Sequence, residues 1–191
     1  MTIFDVQTLN KYLFYMKKIF TLFCLSFLMG FNANAQRAFE TKNAIVRFVA
    51  VDDNDIDAVN REATSRLEAN GVLTFNMLAK GFHFGIKKME EHFNSEYIES
   101  HKFPRVTFSG QITNFNTVNF AKNGKYPVTV TGTMQVHGKN KAIQTNGTIE
   151  IVNGIPKATA QFTVRLKDFG MDGVLISFVA DKVNVEVTAN Y

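Results

Sequence analysis

The 191-residue chain carries 21 Lys and Arg against 17 Asp and Glu, a net charge of +4, with 19 Phe, one Cys and no Trp. A length of this order fits one domain able to bury most of its apolar surface. The basic excess is small and unclustered, which excludes the electrostatic footprint of a nucleic-acid-binding protein.

At the amino terminus, Lys17 and Lys18 precede a charge-free apolar run, Ile19 to Phe31, followed by Ala33-Asn34-Ala35. That order is the pattern of a secretory signal peptide, with cleavage after Ala35 and Gln36 as the mature amino terminus. The run is shorter than the roughly 20 residues that span a bilayer and ends in small residues, so no stable membrane anchor is expected. The Asp5-containing prefix of residues 1–15 is out of place ahead of such a segment, which puts the true start at Met16. Cys24 lies within the apolar run behind bulky Leu22 and Phe23, a poor setting for lipid attachment. Residues 36–191 therefore contain no thiol and must be held by their core in an oxidising compartment, periplasmic or extracellular. Removing Lys11, Lys17, Lys18 and Asp5 lowers the counts to 18 basic and 16 acidic residues, a net charge of +2.

Within the mature chain, the stretch from Asp52 to Asn70 is rich in Asp, Asn and Arg and reads as an exposed loop with a helical turn. From Leu73 to Phe84 the alternation changes parity near Lys80 and Gly81, which predicts a bulge that re-aims Phe82 and Phe84 inward. Ile86, Met89 and Phe93 stand at helical spacing and predict a short helix docked on a sheet or across a barrel end. Pro104 bars helix at Phe103 and suits the first residue of a strand, which places Val106 and Phe108 on one face.

Period-two alternation is clearest over Tyr126, Val128, Val130, Gly132, Met134 and Val136, and again over Ala158, Ala160, Phe162, Val164 and Leu166. Turn chemistry separates these runs at Asn123-Gly124-Lys125, Gly138-Lys139-Asn140-Lys141 and Asn153-Gly154. Hairpins follow, and the fold class is all-β and antiparallel. Closure into a barrel removes the open edges that such long strands would leave, with a sandwich as the alternative. Gly110 and Gly132 inside apolar rows mark either a bend or close approach, or ordinary bulges.

Four passages resemble the YceI-like family. They are His92 to Phe108, Val130-Thr131-Gly132-Thr133-Met134-Gln135-Val136-His137-Gly138, Asp168-Phe169-Gly170-Met171, and the closing strand Lys182 to Ala189. The resemblance implies a lipocalin-like antiparallel β-barrel of about eight strands with a short helix. It also implies an apolar interior that in some members holds a polyisoprenoid or other long-chain lipid, in periplasmic or secreted binding proteins. The chain lacks the histidine-serine, aromatic-rich opening of many members and has Lys139-Asn140 after its histidine-glycine. It is closer to a shorter branch in which a passage like His92-Phe93-Asn94 recurs.

An apolar ligand requires a dry channel, because each buried methylene contributes about 0.8 kcal/mol. The inward rows nominate Phe75, Met77, Phe82, Phe84, Phe108, Ile112, Val130, Met134, Phe162 and Val164 as its lining, with the two methionines adapting to a flexible chain. Plain core packing is the competing role for each. Arg47, Arg105 and Lys80 are the cations to weigh for a ligand head group, against a purely solubilising role.

The histidines, His83, His92, His101 and His137, stand at no metal-ligand spacing, and no triad or phosphate loop is apparent. His92 and His101 flank the corner segment and are expected to bond backbone there. Glu90 and Glu91 read as a solvated helix face, and Asp168 as the side chain that holds the turn at Gly170. Asn146-Gly147-Thr148 matches a glycosylation sequon but falls in a predicted strand. These features point to a non-enzymatic, exported carrier of a long-chain lipid or isoprenoid, without cofactor or metal and with homodimerisation left open. The alternatives are a ligand-free envelope protein acting through its surface and, behind it, a lipid-modifying enzyme using the same cavity.

Overall fold

Alternating side chains and glycine-containing turns build nine strands. They run β1 Phe39–Ala50, β2 Asp57–Leu67, β3 Val72–Leu78, β4 His83–Phe84, β5 Arg105–Ile112, β6 Gly124–Val136, β7 Lys139–Val152, β8 Ile155–Arg165 and β9 Lys182–Asn190. A computed structural model describes residues 38–53, 55–171 and 181–191. Residues 1–37, which carry the signal-peptide reading, the Met16 start and Cys24, lie outside the described residues, as do residue 54 and residues 172–180.

The strands follow the order β1-β9-β8-β7-β6-β5-β3-β2, and β1 pairs with β2 to close an antiparallel barrel of eight strands. The short β4 is the ninth. It pairs with β2 through Ala58 and Phe84, so β3 and β4 share one edge of β2 in succession. One short helix, α1 Lys87–His92, continues into a π-turn at Phe93–Tyr97 and lies between β4 and β5. The fold is therefore the closed, lipocalin-like barrel with a short helix that the sequence implied, and not a sandwich.

Two hairpins turn on adjacent residues with positive φ, His137 and Gly138 at 50° and 69°, and Asn153 and Gly154 at 52° and 79°. That pair of conformations is the type I′ turn, whose twist matches that of the flanking strands. The first of these turns lies one residue earlier than Gly138-Lys139-Asn140-Lys141 indicates, and Lys139 already pairs with Val136.

The segment from Asp52 to Asn70 departs from the expected loop, because most of it is β2. Its inward row is small or polar: Ala58, Asn60, Ala63 and Ser65 are all nearly inaccessible, and only Leu67 is a large apolar residue among them. The row also changes parity. Val46 faces Asn60 while Ala44 faces Ala63, which leaves one extra residue on β2. Buried Asn60 supports this bulge, since its Oδ1 accepts from the Glu62 amide at 2.9 Å and its Nδ2 donates to the Leu78 carbonyl at 3.1 Å. A second sequence expectation fails nearby. The parity change before Phe82 is not a bulge but a 3-10 turn, Ala79–Gly81, which ends β3 and restarts the chain as β4.

One end of the barrel is packed shut. Phe39 stacks on Phe120 at 5.4 Å, Phe115 lies 5.7 Å from Phe120, and Tyr191 meets Phe39 edge-on at 6.4 Å. The Tyr191 hydroxyl bonds Ser65 Oγ at 2.8 Å, and burial pushes its phenol up to about 12. Leu67, Ile112, Ile149, Ile151 and Ala189, each no more than 2% exposed, fill the barrel above this floor.

Candidate functional site

Away from the floor, the inward rows separate and enclose a cavity of about 390 Å³. That is within the size range of small-molecule sites. At about 30 Å³ per water-sized group it has room for roughly a dozen methylenes.

The ladder register sets its wall. Phe75 of β3 faces Phe108 of β5, and Phe108 faces Met134 of β6, so the three form a belt across adjacent strands. Ile112 faces Val130 beyond the Gly110–Gly132 pair, and Met77 faces Val106. Phe162 and Val164 contribute from β8, and Phe82 and Phe84 from the segment after the 3-10 turn. The structure thus places all ten nominated residues along the wall.

Gly110 and Gly132 face each other across β5 and β6 in unbroken register, so neither marks a bulge. A Cβ on either would fall within 2.6 Å of the Phe108 ring and within 2.5 Å of a backbone carbonyl. These glycines leave the space that the Phe108 ring occupies against the wall.

The opposite end is covered by α1 and the π-turn through an aromatic cluster. Phe48 of β1 lies 5.2 Å from Phe82, 5.8 Å from Phe84 and 5.6 Å from Phe93, and Phe84 lies 5.1 Å from Phe93. Here the lining turns polar, with exposed Asp53, half-buried His92 and Tyr97 beside Ile56 and Met89. The His92 Nδ1 lies 2.8 Å from Glu96 Oε1, and because a carboxylate only accepts, Nδ1 is the donor. Neither His92 Nε2 nor the Tyr97 hydroxyl has a hydrogen-bond partner among the described residues. Desolvation, helped by the nearby Glu96 charge, raises the Tyr97 phenol and keeps it a neutral donor.

Phe48, Phe93, Tyr97, His92 and Asp53 were not among the nominated residues. A signal existed for Phe48, in the alternation Ala44, Val46, Phe48, Ala50, and for Val183, Val185 and Val187 of β9, which also line the cavity.

None of the three weighed cations lines the cavity. Arg47 lies between inward Val46 and Phe48, so parity sends it out, where it bonds Asp57 at 2.7 and 2.9 Å and Glu186 at 3.2 Å. Those bonds, Asp57 first, raise its already high pKa. Arg105 bonds Asn76 Oδ1 at 3.1 Å on the exposed face, and Lys80 is exposed on the 3-10 turn.

The other polar expectations change in detail. Glu90 is not simply solvated, since its Oε2 accepts from the Phe84 amide at 3.1 Å and meets His83 Nδ1 at 3.3 Å. His92 bonds a side chain rather than backbone, and His101 is exposed with no side-chain bond among the described residues. Asp168 is also unbonded there. The turn at Gly170 is held instead by its own backbone, through Gly170 N to Lys167 O at 3.0 Å, with φ 73° at the glycine.

His137 ties three segments together. Its Nε2 meets Glu99 Oε2 at 3.0 Å, its Nδ1 meets the Phe169 carbonyl at 3.3 Å, and Phe103 packs edge-on at 4.4 Å. The Lys102 ammonium and then the His137 bond hold the Glu99 carboxyl below the usual range. Among the described residues no three His, Cys, Asp or Glu side chains gather as a metal site.

Fold and cavity together define an antiparallel barrel closed at one end, with an apolar chamber. The sequence pattern of the YceI-like domain matches residues 29–191, and the chain belongs to that family. Among solved structures, the chain is similar to a polyisoprenoid binding domain from Saccharophagus degradans implicated in plant cell wall breakdown. The identity is 12%, the TM-score 0.67, and the match covers 80% of this chain and 96% of that one. It is also similar to BcnA of Burkholderia cenocepacia, at 15% identity and TM-score 0.62, over 76% of this chain and 94% of the other. No curated protein matches it.

Proposed function

We propose that residues 36–191 act as an exported, non-enzymatic binding protein that holds a long-chain apolar molecule, a polyisoprenoid or other lipid, inside the barrel. The observation that carries this reading is the cavity of about 390 Å³ bounded by Phe75, Phe108, Met134 and Phe162 above a sealed floor. Burying about a dozen methylenes contributes roughly 10 kcal/mol before the cost of association, which takes back several kcal/mol. The net is enough for reversible retention. The polyisoprenoid-binding description of the Saccharophagus degradans neighbour supports this ligand class. The pattern from Lys17 to Ala35 supports export to a periplasmic or extracellular space.

The reading is tested by producing the protein with its export signal, extracting the purified product with organic solvent and weighing what is released. A lipid or isoprenoid at close to one per chain is the expected result. A folded protein that releases nothing, and takes up nothing when offered lipid, counts against it.

A further inference from the structure

The wall of the cavity is apolar almost throughout, and among the described residues no Lys or Arg lines it. Asp53 is the carboxylate that lines it among the described residues. Segment 51–56 carries Asp52, Asp53 and Asp55, all exposed, and no basic residue. Among its described residues, the Ala50 amide donates to Ile56 O at 2.9 Å, the Ile56 amide to Asp53 O at 3.2 Å, and the Asp55 amide to Asp53 Oδ1 at 2.9 Å. The second carboxylate oxygen of Asp53 has no hydrogen-bond partner among the described residues, and Asp53 lines the cavity.

The α1 and π-turn segment brings His92 and Tyr97 to the same cavity. With His92 Nδ1 turned toward Glu96, its Nε2 is left open to a ligand. The free Tyr97 hydroxyl can donate or accept. Lys88, a nearby cation on α1, is 3.7 Å from Glu91 and does not line the cavity.

This end therefore offers a carboxylate and one two-way hydroxyl, and among the described residues no Lys or Arg lines it to neutralise an anion brought out of water. Resting on the carrier reading above, we infer that the bound chain has an uncharged head group that donates a hydrogen bond, an alcohol, phenol or amide. The head is seated between Asp53 and the His92–Tyr97 face, and phosphate- or carboxylate-headed chains are rejected. A neutral donor satisfies Asp53 and accepts from Tyr97. An anionic head loses hydration beside a carboxylate and gains one hydroxyl donor in exchange. Rejection by an unpaired like charge is as effective for specificity as attraction of the right partner.

The test uses residues 36–191, stripped of lipid and refolded, with an uncharged fluorescent naphthylamine as the reporter of cavity occupancy. Farnesol and farnesyl phosphate, which share a chain that suits the cavity and differ only in the head, compete for it. Farnesol is expected to bind at least about ten-fold more tightly, a difference of about 1.4 kcal/mol or more. Asp53→Lys, on an exposed segment outside the core, should shrink or reverse the ratio, and Tyr97→Phe should weaken farnesol more than farnesyl phosphate. Equal affinities, or tighter binding of the phosphate, overturn the head-group inference while leaving the carrier reading intact. A folded protein that binds neither compound nor the reporter overturns the carrier reading itself.

Discussion

Single side chains decide both the shape of the cavity and its dryness. The Phe108 ring lies over Gly110 and Gly132, and a Cβ at Gly132 would come within 2.5 Å of the Ser109 carbonyl and 2.6 Å of the Phe108 ring. Backbone cannot yield cheaply there. Gly132→Ala should lose about 1–3 kcal/mol of stability, read from the urea midpoint, despite the usual stabilising effect of replacing glycine. Charge in the wall tests occupancy instead. Phe108→Asp or Met134→Lys should reduce co-purified lipid about ten-fold or more in protein that still folds, because an unpaired charge beside an apolar chain lacks compensation. Unchanged lipid content in either folded variant would remove these residues from the lining.

At the scale of elements, the parts that the sequence made legible are those where alternation is long and uninterrupted. β6 and β8 show this best, since Val128, Val130 and Met134, and Ala158, Phe162 and Val164, face inward as their spacing dictates. β2 was illegible for two physical reasons: its inward positions before Leu67 are Ala, Asn and Ser, and its bulge shifts the period midway. Asp53, His92 and Tyr97 were missed as site residues because they come from the 51–56 segment, α1 and the π-turn, where no strand periodicity aims a side chain. Conversely, Arg47, weighed as a partner for a ligand head group, points outward to Asp57 and Glu186, because a one-residue step in a strand reverses the face.

Two device-like contacts follow from these elements. Asn60→Ala would leave the Leu78 carbonyl and the Glu62 amide without their partners at the β2 bulge, and should cost about 1–3 kcal/mol in chemical denaturation. The Glu99–His137 contact joins the β6–β7 turn to the segment after the π-turn. The Glu99 carboxyl is lowered in the folded state, so its contribution is present above the ordinary carboxylate range and is lost as pH falls through the folded value. Denaturation midpoints measured from about pH 6 down to about pH 3 should fall less steeply in Glu99→Gln than in the parent. An unaltered slope would show that the contact has no role in acid stability.

For the molecule as a whole, a sealed floor, an aromatic cluster at the opposite end and a chamber between them fit a container better than a packed core. The only cysteine precedes Gln36, so the melting temperature of the exported product should be the same with and without a thiol reductant, and its first residue should be Gln36 by amino-terminal sequencing. A first residue upstream of Ala35 would contradict the export reading. The central claim is that the chamber holds a chain, and a crystal structure of the exported protein, purified without lipid stripping, tests it most directly. Continuous elongated density along the Phe75–Phe108–Met134 belt, ending between Asp53 and Tyr97, is the expected result. A chamber filled by rearranged side chains or by ordered water would contradict it.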